Sequence, residues 1–403
     1  MTIEVRPCRP EEVARALRPI FHFFGSTPSE EALTMFDRLM PPGRLHAAFE
    51  DGDAVGGAGV FPLELTIPGG RVQAAGITVV GVLPSHRRRG IMRELMRAQL
   101  DDVHARGEPV ACLWASEATI YGRFGYGMAS LAGEIDLPRE RSPYAQTFEP
   151  RGRVRLVDQD EALELVPPLY ERVARESPGM FARSRDWWEL RALADPEWRR
   201  RGGGEMARAV LEVDGKPAAY ALYRLHPAFE HFTSVGRTEV IEALAVSPEA
   251  TAEIWRFLFD VDWMSRIQAQ LLPVDHPLFF LLAEPRLMRF MLTDALWVRV
   301  VDVADALSRR SYLGEQEVVL DVRDSFCPWN DGRWRVNSAG AERTDAAADV
   351  RLDVSALGSV YLGGFTFAEL ARAARAEELQ PGALVRADEL FRGDRAPWCV
   401  EIF

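Results

Sequence analysis

The segment VGVLPSHRRRGIM, residues 80–92, constrains the fold of this chain more than any other part of it. An apolar strand pattern ends at Pro84, and a helix of high propensity is predicted from about Gly90 to Ala105. The first N–H groups of a helix have no intrahelical partner and lie at the positive end of its dipole, so such a loop is suited to bind phosphate. Because three consecutive arginines lie in the loop, the segment predicts a site for a phosphate-bearing ligand.

This pattern resembles the acyl-CoA pyrophosphate loop of the GNAT acetyltransferases, V-x-[VL]-x-P-x-x-[RQ]-x-x-G-x-[GA], with Met92 where that family usually has Gly or Ala. The resemblance implies acetyl-CoA as co-substrate. Backbone groups of Val80 and Val82 are expected to pair with the pantetheine arm, whose two amides are spaced as in a strand. The other predicted cofactor-binding residues are Arg87, Arg88, Arg89, Gly90, Ile91 and Ser116. A basic helix start that only faces water is the alternative.

A second motif, EATIYGRFGYG over residues 117–127, follows a small apolar strand predicted over residues 111–116. GNAT enzymes often carry Y-x-x-x-G-[FY] at this distance from the pyrophosphate loop, and Tyr121 and Gly125 fit that pattern. The resemblance places the Tyr121 hydroxyl near the thioester sulfur. A phenol with an ordinary pKa of about 10 can donate a proton to a departing thiolate whose conjugate acid has a pKa of about 8–9. Tyr121 is therefore predicted to be the general acid, the alternative being an ordinary half-buried tyrosine.

Composition narrows the class of protein. A chain of 403 residues is too long for one ordinary core and predicts two or three domains. No apolar run approaches the ~20 residues of a membrane span and no signal-peptide pattern is present, so we expect a cytoplasmic protein without a membrane partner. A net charge of −12 argues against a nucleic-acid partner and favours a cationic small-molecule substrate. The four cysteines are far apart and no histidine pair has metal-ligand spacing, so no metal is predicted.

The pattern of elements divides the chain into three predicted domains, residues 1–145, 146–295 and 296–403. The central one repeats the strand–proline–helix order at Pro248 without the arginines or the glycine, which predicts a degenerate copy that lost its phosphate site; a chance repeat is the alternative. The last one combines strand-like segments with an amphipathic helix predicted over residues 365–379. The fold class is therefore α/β (α+β).

This three-part order resembles the enhanced intracellular survival (Eis) family: an N-terminal GNAT domain, an atypical second GNAT domain without cofactor, and a sterol-carrier-protein-like α+β domain. The YGRFGYG motif and the segment APWC close to Phe403 add to the resemblance. It implies a homohexamer that acetylates amines, including those of aminoglycosides, with the terminal carboxylate at Phe403 as general base. Phe24 and Phe36 are predicted to line the acceptor site, with plain core positions as the alternative, and Glu401 is a predicted partner for the substrate cation.

Two further functions stay open at this point. One keeps the tandem GNAT architecture but uses a longer acyl-CoA, as N-myristoyltransferases do. The other is a non-catalytic scaffold that binds a lipid or an acyl-CoA.

Overall fold

Residues 3–403 are described by a computed structural model. Up to Ser130 the elements are β1 (Ile3–Pro7), α1 (Val13–Phe23), α2 (Glu30–Leu39), β2 (Leu45–Glu50), β3 (Asp53–Ile67), β4 (Gly70–Val82), α3 (Ile91–Ala105), β5 (Val110–Trp114), α4 (Ala118–Tyr121) and β6 (Gly127–Met128). The elements that follow, up to Asp294, are β7 (Leu131–Pro138), β8 (Arg153–Leu156), α5 (Gln159–Ala174), α6 (Arg185–Trp187), α7 (Glu197–Arg200), β9 (Ala207–Val213), β10 (Lys216–His226), β11 (Phe229–Glu230), β12 (Thr233–Ser234), β13 (Gly236–Ala245), α8 (Pro248–Phe259), β14 (Met264–Leu272), α9 (Leu278–Leu281) and β15 (Met291–Asp294). The remaining elements are β16 (Leu296–Val300), α10 (Val303–Arg309), β17 (Val318–Arg323), β18 (Gly332–Asn337), β19 (Gly340–Arg343), β20 (Val350–Asp353), α11 (Val354–Tyr361), α12 (Phe367–Arg372), β21 (Ala376–Glu378) and α13 (Ala383–Phe391).

The first of two structural units contains the residues up to Ser130, Ala295–Pro397 and Ile402–Phe403. Its larger sheet has the strand order β1-β2-β3-β4-β5-β16-β6, and its smaller sheet has the order β19-β18-β17-β20-β21. The helix α3 packs against β1 to β4. It buries Ile91, Leu95, Leu100 and Val103, whose spacing places them on one face of the helix. This packing fixes the N-terminus of α3 beside the end of β4.

The second unit contains Leu131–Asp294 and Trp398–Glu401. Its sheet has the order β15-β7-β14-β13-β10-β9-β8, in which β13 and β14 are parallel and α8 connects them. The core of this sheet includes Ile254, Trp255 and Leu258 of α8. The strand β7 therefore belongs to this sheet, whereas β16 belongs to that of the first unit. The bounds of the three predicted domains stay predictions.

One helix prediction is wrong. In place of a continuous helix over residues 365–379, α12 ends at Arg372 and β21 pairs antiparallel with β20. Between them Ala374 has a left-handed φ of +57°, which a helix cannot continue through. The unpaired edge of β20 takes up the chain after that residue, so pairing with the sheet overrides the helical pattern.

No helix in the described part of the chain is both long and apolar enough to cross a membrane. Within residues 3–403, no group of three or more His, Cys, Asp or Glu side chains gathers as a metal site would require. The four cysteines are buried.

Candidate active site

The strands β4 and β5 form a fork in the first unit. They pair in parallel only where Ala74–Gly76 meets Val110–Cys112, and β4 continues to Val82 without β5 beside it. The strand β4 contains a bulge where it pairs with β3. Gly57 pairs with Gly81 but Gly59 pairs with Thr78, so two residues of β4 lie opposite one residue of β3. Within this bulge Val79 has a φ of +46°, which is rare for a β-branched residue and locally bends the strand. The fork leaves backbone groups of β4 available to an extended ligand.

The basic loop begins where β4 ends. Pro84–His86 forms a short 3-10 turn, Arg88 adopts a left-handed φ of +61°, and Gly90 with a φ of +83° is the N-cap of α3. Gly90 has no side chain that could cap this helix, so the N–H groups of its first turn face outward at the positive end of the dipole. The loop has the properties of an anion site that the sequence predicted.

A cavity of about 730 Å³ joins the fork, the loop and the tyrosine motif. The predicted residues that line it are Val80, Val82, Arg87, Arg88, Gly90, Ile91, Ser116 and Tyr121. Residues without a predicted role that also line it include Phe23, Met92, Arg93, Glu117 and Arg123. Four arginines and one carboxylate therefore face this cavity in a protein whose net charge is −12. This donor set fits a ligand that carries several phosphates.

Arg89 does not line the cavity with the other two arginines. Its guanidinium donates to both carboxylate oxygens of Glu50, at the end of β2, and His86 Nε2 donates to the same carboxylate at 2.8 Å. These donors, Arg89 foremost, lower the pKa of Glu50 to about 2. The sequence analysis did not identify Glu50, because the pair joins residues 39 positions apart and leaves no local signal.

Tyr121 is buried at the end of α4 with 5% of its surface exposed. Burial raises the pKa of its phenol, partly countered by a hydrogen bond from Ser116, so the hydroxyl stays protonated at neutral pH. Tyr126 packs edge-on against it, with ring centroids 6.0 Å apart. Gly125, with a φ of +85°, lets Arg299 approach so closely that a Cβ there would lie 2.7 Å from Arg299 Nε. The motif thus holds one neutral phenol in the cavity wall.

Phe403 lies at the fork. Its side chain is buried, and a Cβ on Gly76, the last residue of β4 that pairs with β5, would lie 3.2 Å from the Phe403 ring. The end of the chain therefore packs beside the strand that contributes Val80 and Val82 to the cavity.

The two aromatic residues predicted for the acceptor site do not line the cavity. Phe24 is 53% exposed and packs edge-on against Phe23, which does line it. Phe36 is buried, with its ring stacked on that of Phe61. A role for either residue toward the acceptor stays a prediction.

Glu401 lies in the second unit, in a cluster of buried polar side chains. It accepts a hydrogen bond from Trp187 Nε1 at 2.7 Å and pairs with Arg183 and Arg191 at 3.0 and 3.1 Å. Although burial alone favours its protonated form, the two arginines hold the pKa of Glu401 below its ordinary value. These contacts anchor the segment Trp398–Glu401, and a role toward a substrate cation stays a prediction.

The strand–proline–helix order of the second unit differs from that of the first at the helix start. Ser247 caps α8, and its side chain accepts from the N–H of Ala250. Pro248 removes a further N–H from the first turn. The donors that face outward at α3 are thus partly satisfied or missing at α8, as expected for a copy without a phosphate site.

Comparisons with known proteins agree with this architecture. Models of the acetyltransferase (GNAT) domain match residues 4–129 and 179–300, and a sterol carrier protein domain model matches residues 303–400. An uncharacterized N-acetyltransferase of Streptomyces coelicolor is 42% identical over 99% of this chain and 99% of its own. N-acetyltransferase Eis of Mycobacterium tuberculosis is 37% identical over 85% of this chain and 84% of its own. The crystal structure of Eis1 from Mycobacterium abscessus superposes with a TM-score of 0.86 at 35% identity, covering 99% of this chain and 100% of that one.

Proposed function

Since the chain belongs to the Eis family of GNAT N-acetyltransferases, we propose that it transfers an acetyl group from acetyl-CoA directly to a primary amine. The acceptor is a cationic small molecule, such as an aminoglycoside or a polyamine, or a lysine side chain. One observation carries the proposal: the strand fork, the uncapped start of α3 and a neutral buried tyrosine line the same cavity. Each of these features matches one part of an acyl-CoA thioester.

The cofactor is held by groups of three kinds. Backbone groups of Val80 and Val82 pair with the pantetheine amides at the fork. The N–H groups at the start of α3, with Arg87 and Arg88, neutralise the pyrophosphate. When bound, acetyl-CoA supplies the activated thioester carbonyl, and every proton that moves must then be handled by the protein or by the amine.

Two groups handle these protons in the proposed reaction. Tyr121, which its raised pKa keeps protonated at neutral pH, donates its phenolic proton to the thiolate as the C–S bond breaks. The phenolate then takes back the proton that the amine nitrogen loses as the amide forms. The carboxylate of Phe403 accepts a proton from the acceptor ammonium or holds that ammonium in position. An α-carboxylate with an ordinary pKa of about 3.5 is a weak base unless it is desolvated. The buried position of Phe403 beside Gly76 supports this role.

Assembly is a separate part of the proposal. The resemblance implies a homohexamer, and light scattering on the purified protein measures the assembly mass directly. A mass of one protomer would remove the hexamer from the proposal without affecting the chemistry.

A thiol-release assay tests the function. Purified protein is given acetyl-CoA with an aminoglycoside, spermidine or a lysine peptide, and Tyr121→Phe is assayed in parallel as the matched variant. Release that requires both an amine and Tyr121 supports the proposal. Faster release from octanoyl-CoA or myristoyl-CoA would instead show a longer-chain acyltransferase. No release from any pair, together with a co-purified lipid in the mass spectrum, would overturn the enzyme and favour the lipid-binding scaffold.

A further inference from the structure

We propose that Glu50 is a positioning residue that holds the phosphate-binding loop in its binding conformation through His86 and Arg89. The inference rests on the proposed acetyl-CoA site. The carboxylate of Glu50 accepts from His86 on one side of the loop and from Arg89 on the other, and its side chain is 11% exposed.

The residues between these two contacts include the strained position of the loop. Arg88 lies in the left-handed region with a φ of +61°, a conformation that costs free energy for a residue with a Cβ and persists only when its surroundings impose it. His86 and Arg89 flank this position and are both fixed to one carboxylate. The loop therefore has an anchor on each side of its strained residue.

Glu50 is itself held rigidly. It pairs with Ile3 of β1 on one side and with Asp53 of β3 on the other, so two antiparallel ladders fix its backbone. Ser85 Oγ lies 2.8 Å from His86 Nδ1, which fixes the other ring nitrogen of that histidine. The side chain of Glu50 thus fixes the position of the loop relative to the sheet.

The three loop arginines have different surroundings, which indicates different roles. Arg87 and Arg88 face the cavity, and the Arg87 guanidinium lies 5.3 Å from the centroid of the Phe23 ring. Arg89 is neutralised by Glu50 and lies outside the cavity lining. The negative charge of Glu50 by itself would weaken the binding of an anionic ligand nearby. We therefore assign to Glu50 the role of fixing the loop conformation.

The test compares Glu50→Ala and Glu50→Gln with the wild-type enzyme. We expect Glu50→Ala to raise both the Kd and the KM for acetyl-CoA about tenfold, the effect of losing roughly one charge-assisted contact, with kcat changed by less than about twofold. Glu50→Gln keeps one acceptor oxygen and should lie between the two. Hydrogen exchange of residues 84–90 in the free enzyme should be faster in Glu50→Ala, because the loop has lost its anchors.

Glu108→Gln is the matched control. Glu108 accepts from Arg44 Nη2 with both oxygens, at 2.8 and 2.7 Å, just beyond the C-terminal end of α3, away from the loop. Its loss should lower the melting temperature and leave the KM for acetyl-CoA unchanged. Glu50→Ala that behaves like this control would show a structural role alone.

A second variant covers the case in which Glu50→Ala fails to fold. Arg89→Ala removes the partly exposed arm of the anchor and should raise the Kd for acetyl-CoA by itself. If Arg89 instead bound phosphate directly and Glu50 competed for it, Glu50→Ala or Glu50→Gln would tighten acetyl-CoA binding, which would overturn the proposal. Wild-type protein that does not bind acetyl-CoA would refute the proposed function itself, whereas normal wild-type binding with unaffected variants would refute only the role of Glu50.

Discussion

Gly125→Ala should be strongly destabilising, and the structure gives its size. Gly125 has a φ of +85°, and a left-handed conformation costs an L-residue about 1–2 kcal/mol. The new Cβ would also lie 2.7 Å from Arg299 Nε and 2.8 Å from Val354 Cγ1, an overpacking that typically costs about 1–3 kcal/mol. The two costs together give a loss of about 2–5 kcal/mol in the free energy of unfolding.

Arg299 cannot move aside to reduce this cost. Its guanidinium donates to Asp324 at 2.6 Å and to the carbonyl of Val300 at 2.8 Å, and the ion pair is fully buried. Asp324 in turn accepts from the N–H of Cys327 at 2.8 Å. A displaced guanidinium would leave a buried carboxylate short of a donor, which is itself costly.

Urea unfolding followed by circular dichroism measures the effect, with Gly122→Ala as the control in the same motif. Gly122 is helical, and a Cβ there would have no atom within 4 Å, so that variant should unfold at the wild-type urea concentration. We also expect kcat to fall in Gly125→Ala alone, since the N–H of Gly125 donates to Gly122 in the turn that carries Tyr121. Equal unfolding midpoints for the two variants would refute the steric reasoning.

Three further predictions concern the proposed chemistry. Tyr121→Phe should lower kcat while calorimetry shows an unchanged Kd for acetyl-CoA, because the hydroxyl acts only as the thiolate forms; wild-type turnover would reject the general acid. Arg88→Ala should weaken acetyl-CoA binding by about 1.5–3 kcal/mol through one lost charge-assisted contact, and calorimetry showing no change would contradict the loop assignment. Residues added after Phe403 should abolish turnover without changing acetyl-CoA affinity, whereas an N-terminal tag should not; a folded, fully active extended protein would exclude the terminal carboxylate as base.

The loop was predictable because its signals are local. Pro84 ends the strand and Gly90 begins the helix, and the structure has α3 from Ile91 to Ala105, one residue from the predicted start. The bulge at Val79 had no such signal, since valine is an ordinary strand residue and its positive φ follows from pairing with β3. A helix predicted to start near residue 365 likewise ended early because of a distant strand edge.

In the candidate site, too, the features set by local sequence were predictable and those set by tertiary contacts were not. Residues of both motifs line the cavity, although Arg89 of the first motif does not, because the backbone conformation of each motif is set by neighbours in sequence. Arg89 of the loop motif and Phe36, predicted for the acceptor site, contact Glu50 and Phe61 instead, which lie on strands distant in sequence. The direction in which a side chain points is a property of tertiary packing, which residue type alone does not encode.

The different caps of α3 and α8 show how a duplicated domain can lose its ligand without losing its fold. In α8 the side chain of Ser247 accepts from a first-turn N–H group, so fewer donors are left for an anion. In α3, which begins at Gly90, these donors stay available. A serine at the N-cap stabilises a helix by about 1 kcal/mol, so the cap of α8 favours folding at the expense of anion binding. In this chain the helix whose first turn keeps its donors, α3, is the one whose start lines the cavity of the candidate site.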